Sequence, residues 1–360
     1  MSPSPLSIAW VIYDSLEIVS GGTIYDKRIV EGLRGFGHAV EIVALTRSDR
    51  PSEVRKKGKL TLARLAERSS APPMFVCDEL CFPHLPHLPT GPRRTLLVHH
   101  LSLWEREAPP LIARLREIAC VRAFDACIAT GPKTSARLHE EFGIEATLVP
   151  PGADRLLRYR REDERATALR VAASSKNTAS PPRLLFVGSV TPRKRVLELI
   201  ETLAQAGHPV HLTLVGSLER DTAYVEEVKA RAKRLAAPAL ALSFAGEVTD
   251  KVLAKHYETH DALIVASSLE GYGMVVDEAL SFGTPVLIER DAIATDTLLP
   301  GTNARVFSFS DPSALFGYLA NEKERRELAM ACRDASTRLP TWGASVKAFA
   351  LALQGTPGIS

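Results

Sequence analysis

No stretch of this sequence stays apolar for the roughly 18 residues that a membrane-spanning helix needs, and no two of its cysteines form a Cys-x-x-Cys pair. The five present, Cys77, Cys81, Cys120, Cys127 and Cys332, are odd in number and lack metal-ligand spacing. They read as reduced structural thiols of a cytosolic protein, and a zinc site is not expected. Nor does the opening stretch read as a leader. "MSPSPLSIAWVIYDS" has no cationic start, and Asp14 cuts its apolar segment short, so the stretch reads as a first buried strand and not a signal peptide. No P-loop occurs, because "GPKTS" at Gly131 lacks the preceding glycine spacing. The net charge is only +3, which leaves no electrostatic footprint for nucleic acid.

What the chain does have is length and alternation. Its 360 residues are too many for one ordinary core, so two domains are expected. Apolar residues at 45% and charged residues at 24% are globular composition. Short apolar runs alternate with longer amphipathic ones: "SIAWVIYD", "AVEIVAL", "APPMFVCD", "TLLVHH" and "ACIATG" read as buried parallel strands. From Arg160 to Arg183 the composition turns charged and then Ser/Asn/Pro-rich, which suits a linker or surface insertion over 155–182. The alternation restarts with "RLLFVG", "HLTLVG", "LSFAG", "DALIVAS" and "PVLIE". The spacing therefore predicts an α/β chain of two doubly wound domains, 1–154 and 183–338, facing each other across a cleft. Ligands in such sheets sit beyond the carboxyl ends of the strands. An amphipathic helix over about 341–355 places Trp342, Val346, Phe349 and Leu353 on one face.

Four stretches carry candidate chemistry. In "SLEGYGMVVDEALSFGTPV", Glu270 falls in the loop after a strand. Gly271 and Gly273 flank Tyr272 where the backbone turns, and a helix runs from Met274 to near Gly283. Amides at Gly273, Met274 and Val275 would form a helix N-terminus suited to a diphosphate, with Glu278 one turn in. A solvated turn or a partial dinucleotide fingerprint explains the same residues, although the third glycine is missing. In "LLFVGSVTPRKRVLELIETLA" a strand ends at Gly188 and Ser189, and Pro192 seeds a helix opening on Arg193, Lys194 and Arg195. Cations there are unfavourable unless an anion is bound; a solvated basic turn is the plain alternative. "TLLVHHLSLWERE" sets His99 and His100 at a strand end, where a structural role is the more common one and a catalytic role the alternative. "VSGGTIYDKRIVEG" puts Gly21 and Gly22 ahead of the first helix, suited to close backbone approach or simply to a turn.

Taken together and in this order, with "PPGAD" at Pro150 to Asp154 and "FAGEV" before the acidic stretch, these motifs resemble glycosyltransferase family 4. These are retaining nucleotide-sugar transferases of the GT-B fold. The resemblance spans nearly the whole chain and is strongest from Leu184 to Val286. It implies that Glu270 and Glu278 form the family's Glu-x7-Glu motif, Glu270 on the donor sugar and Glu278 on the ribose. It implies that Lys194 binds phosphate, that the Gly273 to Val275 amides meet the diphosphate, and that Gly246 and Val248 lie nearest the base. The family's histidine near the reacting carbon falls on His99 or His100, with His100 preferred because it borders the loop. The family's usual arginine after the strand glycine is Ser189 here, with Arg193 as substitute, and its usual glycine after the lysine is Arg195. The terminal helix around Trp342 resembles the one that crosses back onto the first domain.

The implied reaction moves a hexose from a nucleotide diphosphate sugar to a hydroxyl acceptor (a glycan, a lipid-linked sugar or a small molecule). The sugar keeps its anomeric configuration through a front-face, oxocarbenium-like state. No Asp-x-Asp is present, so no metal and no cofactor besides the donor are expected. The rival readings are a GT-B epimerase or sugar phosphorylase, or a non-catalytic nucleotide- or sugar-binding module. Between Arg47 and Arg68 eight cations stand against three acids, with apolar residues at helical spacing. Such a helix can lie on anionic lipid or present a solvated face. The expected location is cytoplasmic, with peripheral contact at the inner membrane face if the lipid reading holds.

Overall fold

A computed structural model describes residues 5–17, 20–105, 111–160, 181–207, 209–235, 240–293, 298, 303–336 and 338–355. The chain forms two compact units, Met1–Gly152 with Pro340–Ser360, and Ala153–Leu339. Most of the linker read from the sequence, 161–180, lies outside the described residues.

The first unit is a six-stranded parallel sheet in the order β2-β1-β3-β4-β5-β6. Its strands are β1 (Ser7–Tyr13), β2 (Ala39–Leu45), β3 (Pro73–Asp78), β4 (Arg94–Val98), β5 (Ala126–Ala129) and β6 (Thr147–Leu148). The helices α1 (Gly21–Gly35), α2 (Pro51–Arg68), α3 (Leu111–Arg122) and α4 (Pro132–Phe142) connect them. Ile8, Ala9, Trp10 and Val11 are fully buried, as a strand flanked on both edges and covered on both faces requires. Ser20 caps α1 by accepting from the Thr23 amide, which closes a capping box. The last helix of the chain also belongs to this unit: over Trp342–Leu353 it buries Trp342, Val346, Phe349 and Leu353. Phe349 stacks on Trp10 at 5.3 Å between ring centroids.

The second unit is also a six-stranded parallel sheet, in the order β12-β11-β10-β7-β8-β9. Its elements in chain order are β7 (Arg183–Val187), α5 (Val196–Ala204), β8 (Val210–Val215), α6 (Thr222–Leu235), β9 (Leu240–Gly246), α7 (Asp250–Thr259), β10 (Ala262–Val265), α8 (Met274–Ser281), β11 (Val286–Glu289), β12 (Ala304–Phe307), α9 (Ser313–Ala320) and α10 (Glu322–Ser336). α11 (Trp342–Leu353) then closes the chain. Read from β9, this is the dinucleotide-fold order, and β7 and β10 flank the point where the winding reverses. In the first unit the reversal falls between β1 and β3. Two strands have no counterpart in the sequence reading: β6 has only two residues, and β12, with Arg305 inside its four, lacks a continuous apolar run.

Candidate active site

In the second unit the chain leaves β7 at Gly188 and leaves β10 through Ala266 and Ser267, so both loops open at the reversal point. Gly188 donates to the Val215 carbonyl at 2.8 Å. The matching glycine after β8, Gly216, has φ 137°, and a Cβ there would stand 2.2 Å from the Gly188 oxygen. Only glycine lets the two loops lie this close.

Beyond Gly188 the structure departs from the single helix expected from Pro192. Pro192–Lys194 form one 3-10 turn, Arg195 adopts the left-handed conformation (φ 52°, ψ 40°), and α5 begins only at Val196. The cations thus precede the α-helix, and their counter-charge comes from the protein itself. Lys194 Nζ donates to Glu270 Oε1 at 2.5 Å, and Arg193 lies 3.9 Å from the other oxygen. Ser267 Oγ also donates to Oε1, and Arg193 donates to the Leu269 carbonyl. Burial raises the Glu270 carboxyl, but Lys194 and Arg193 outweigh it and hold it below its usual range. The pair is an inward-facing carboxylate and ammonium, 10% and 13% exposed.

Gly273, with φ 84°, is the left-handed N-cap of α8. Met274 and Val275 are half-buried, and Tyr272 is buried with its hydroxyl on Asp277. Gly271 and Ser189 are half-buried. Glu278 points into the protein: Oε1 accepts from Arg155 Nε and Nη2 at 2.9 and 2.7 Å, and Oε2 accepts from the Tyr257 hydroxyl at 3.0 Å. Arg155 also reaches Asp250 Oδ1 at 2.5 Å. Burial alone would lower the Arg155 pKa, but Glu278 and Asp250 raise it. Asp250 opens α7, just past Gly246 and Val248 at the β9 end. Arg155, Asp250 and Tyr257 were not legible as site residues, although Arg155 directly follows the "PPGAD" stretch.

In the first unit, Gly21 and Gly22 open α1, and His99 and His100 follow β4. It is His99 that stands against Gly22, where a Cβ would come 3.3 Å from the ring. His99 Nε2 lies 3.2 Å from Asp26 Oδ1, its amide donates to Glu79 and its carbonyl accepts from Thr134. His100 is half-buried. His99 is half-buried as well, and its contacts with Gly22 and Asp26 join it to α1. Burial would lower the His99 pKa, but Glu79, the Asp26 hydrogen bond and the charges of Asp26 and Asp78 raise it to about 10. Burial, then Glu79 and Asp26, push Asp78 well above the usual carboxylate range. Ligand-type atoms of Asp26, Asp78 and His99 lie within 4.8 Å of one another. Both Asp26 oxygens are already engaged, by Trp10 Nε1 at 3.3 Å and by His99, so the group is a hydrogen-bonded network. An acid within "GGTIYDKR", next to the buried Tyr25, was its sequence signal.

The basic helix turns its apolar side inward. Val54 and Leu65 of α2 are fully buried, Lys57 pairs with Asp49, and Arg64 and Arg68 reach Glu41. The apolar stripe that lipid contact would need is spent in the core, leaving Arg55, Lys56 and Lys59 exposed with Leu60. The cysteines are all free, and burial raises each thiol, Cys127 and Cys332 to about 12. Among the described residues no helix is long and apolar enough to cross a membrane.

Comparison with known proteins identifies the fold. Residues 171–338 match the family model described as glycosyl transferases group 1. Solved structures share the fold over nearly the whole chain. Sucrose-phosphate synthase from Thermosynechococcus elongatus superposes with a TM-score of 0.77 at 18% identity, covering 97% of this chain and 98% of that one. Anabaena HepE in complex with UDP and glucose gives 0.73 at 16% identity, with 97% and 99% covered. The fold is GT-B, two Rossmann-like domains in one chain. Among particular relatives, D-inositol 3-phosphate glycosyltransferase of Rhodococcus erythropolis is 29% identical over 201 residues, 53% of this chain and 44% of that protein. Mannosylfructose-phosphate synthase of Agrobacterium fabrum is 26% identical over 187 residues, 48% and 39% of the two chains. The chain spans about half the length of the curated relatives it matches.

Proposed function

We propose that this protein is a glycosyltransferase that moves a hexose from a nucleoside diphosphate sugar to a hydroxyl acceptor, with retention and without a metal. The observation that carries the reading is the Lys194–Glu270 pair, with Arg193 beside it, at the two strand ends that flank the winding reversal of the second unit. A ligand carrying a diphosphate and a polyol satisfies both members. Its phosphates take the ammonium and the α8 amides from Gly273 onward, and its hydroxyls take the carboxylate. As the sugar–oxygen bond breaks, charge gathers on the departing diphosphate. Lys194, Arg193 and the α8 N-terminus are already oriented to stabilise it. Glu270 orients the sugar, so no covalent intermediate is invoked and the new bond forms on the face the leaving group vacates. His99 of the first unit serves the reacting sugar as a hydrogen-bond donor.

Glu278, which the resemblance places on the ribose, also holds two side chains of its own unit. Arg155 and Tyr257 occupy three of its acceptor positions, which leaves about one lone pair for a ribose hydroxyl. Its first task is to anchor α8. Any membrane contact through 47–68 is electrostatic, through Arg55, Lys56 and Lys59. The names of the relatives, which pair a sugar transfer with inositol phosphate, mannosylfructose phosphate or sucrose phosphate, make small phosphorylated polyols the first acceptors to try.

The experiment follows the release of nucleoside diphosphate from uridine and guanosine diphosphate sugars, with and without inositol phosphates and hexose phosphates. Wild-type protein releases it, and Glu270→Ala abolishes transfer. Turnover that needs free phosphate and no nucleotide would establish a phosphorylase instead. Binding without any donor consumption would establish a binding module.

A further inference from the structure

Asp26 has no place in the reaction just described, yet it is fully buried on the inward side of α1, among Tyr25, Ile29 and Val30. A carboxylate in such surroundings is costly unless its oxygens are bonded. Each has one partner: Oδ2 accepts from the Trp10 indole, and Oδ1 meets His99 Nε2. The indole cannot shift, because Trp10 is itself fully buried and stacked on Phe349. The histidine is enclosed from other sides as well. Tyr25 stands edge-on to it at 5.3 Å, with its own hydroxyl tied to the Val149 carbonyl. Gly22 lies against the ring, and Glu79 and Thr134 hold its main chain. The side chain keeps 12% of its surface exposed, and no hydrogen bond to Nδ1 is found among the described residues.

We propose that Asp26 is a positioning residue for His99: clamped by Trp10, it holds Nε2 as an inward donor, fixes the plane of the ring and leaves Nδ1 as the nitrogen presented to a hydroxyl or oxyanion of the donor sugar. This rests on the reading that His99 serves the reacting sugar, and it adds which nitrogen does so and what aligns it. Asp78, whose own carboxyl burial pushes well above the usual range, borders the ring from β3, and the charged groups that face it are Asp26 from α1 and Glu79 from the turn after β3. Their field keeps the ring protonated at neutral pH, so His99 donates and does not act as a general base.

The test reads the ring directly. In wild-type protein labelled with 15N at histidine, the His99 signals, assigned by their loss in His99→Gln, should show both ring nitrogens protonated up to about pH 8.5. Titration near pH 6.5, or a neutral ring lacking the Nε2 proton, would overturn the proposal. In Asp26→Asn the ring should titrate at least one pH unit lower. Its kcat should fall by about tenfold or more with little change in donor KM, and an alkaline limb should enter the pH profile. The double variant with His99→Gln should be no slower than His99→Gln alone. A residue that only supported the fold would lower thermal stability without moving that limb. If Asp26→Asn does not fold, the wild-type titration decides alone. If wild-type protein consumes no donor, the functional reading fails, and the same titration still reports whether Asp26 holds the ring.

Discussion

Arg155 sets a guanidinium that is 7% exposed against a Glu278 carboxylate that is 4% exposed, and Tyr257 completes the arrangement. Removing the cation leaves a buried carboxylate facing only a phenol and a carboxylate neighbour, so Arg155→Ala should destabilise the second unit by about 3–5 kcal/mol. Denaturant unfolding measures it, and Arg155→Met combined with Glu278→Gln should recover most of the loss. An Arg155→Ala midpoint equal to wild type would mean that the pair does not anchor α8. Lys194 and Glu270 form the second buried pair, and here the sequence was informative: both residue types stood at strand ends where a ligand is expected. What it could not give was their pairing, because 76 positions separate them and only the strand order brings them together. Asp26 and Arg155 escaped notice for the same reason, since each acquires its role from a residue distant in sequence.

Among the elements, the turn between β7 and α5 shows how a local departure is accommodated. Arg195 occupies a left-handed conformation at φ 52°, a position glycine fills without a Cβ penalty of roughly 1 kcal/mol. The arginine offsets this with carboxylates of Glu198, Glu289 and Asp291 between 3.6 and 3.7 Å away, and with its guanidinium 4.6 Å over the Phe309 ring. Arg195→Gly should therefore change stability by less than about 1 kcal/mol, relief of strain balancing lost contacts. Arg195→Val should cost more, because a branched Cβ suits that conformation least. Thermal unfolding of the two variants separates them, and equal melting temperatures would contradict the conformational account. The apolar runs of β1, β7 and β8 and the amphipathic face of α11 were readable from the sequence. The break between the 3-10 turn and α5 was not, because Pro192 signals a helix start equally well for either kind of helix.

For the whole molecule, two parallel sheets followed from apolar periodicity and one composition break, whereas the return of the last helix to the first unit was implied only by the family resemblance. The strand order did not follow from periodicity, since crossovers leave no mark on local sequence. That order makes neighbours of the Lys194 and Glu270 strand ends. The most direct measurement is calorimetric titration of the intact protein with nucleoside diphosphates and their sugar conjugates, wild type beside Lys194→Ala. At least one nucleoside diphosphate should bind saturably, and Lys194→Ala should weaken that binding by about 10- to 100-fold, the worth of one charge-assisted hydrogen bond. Binding of equal strength in the two proteins, or no binding by any nucleoside diphosphate, would contradict the proposed function.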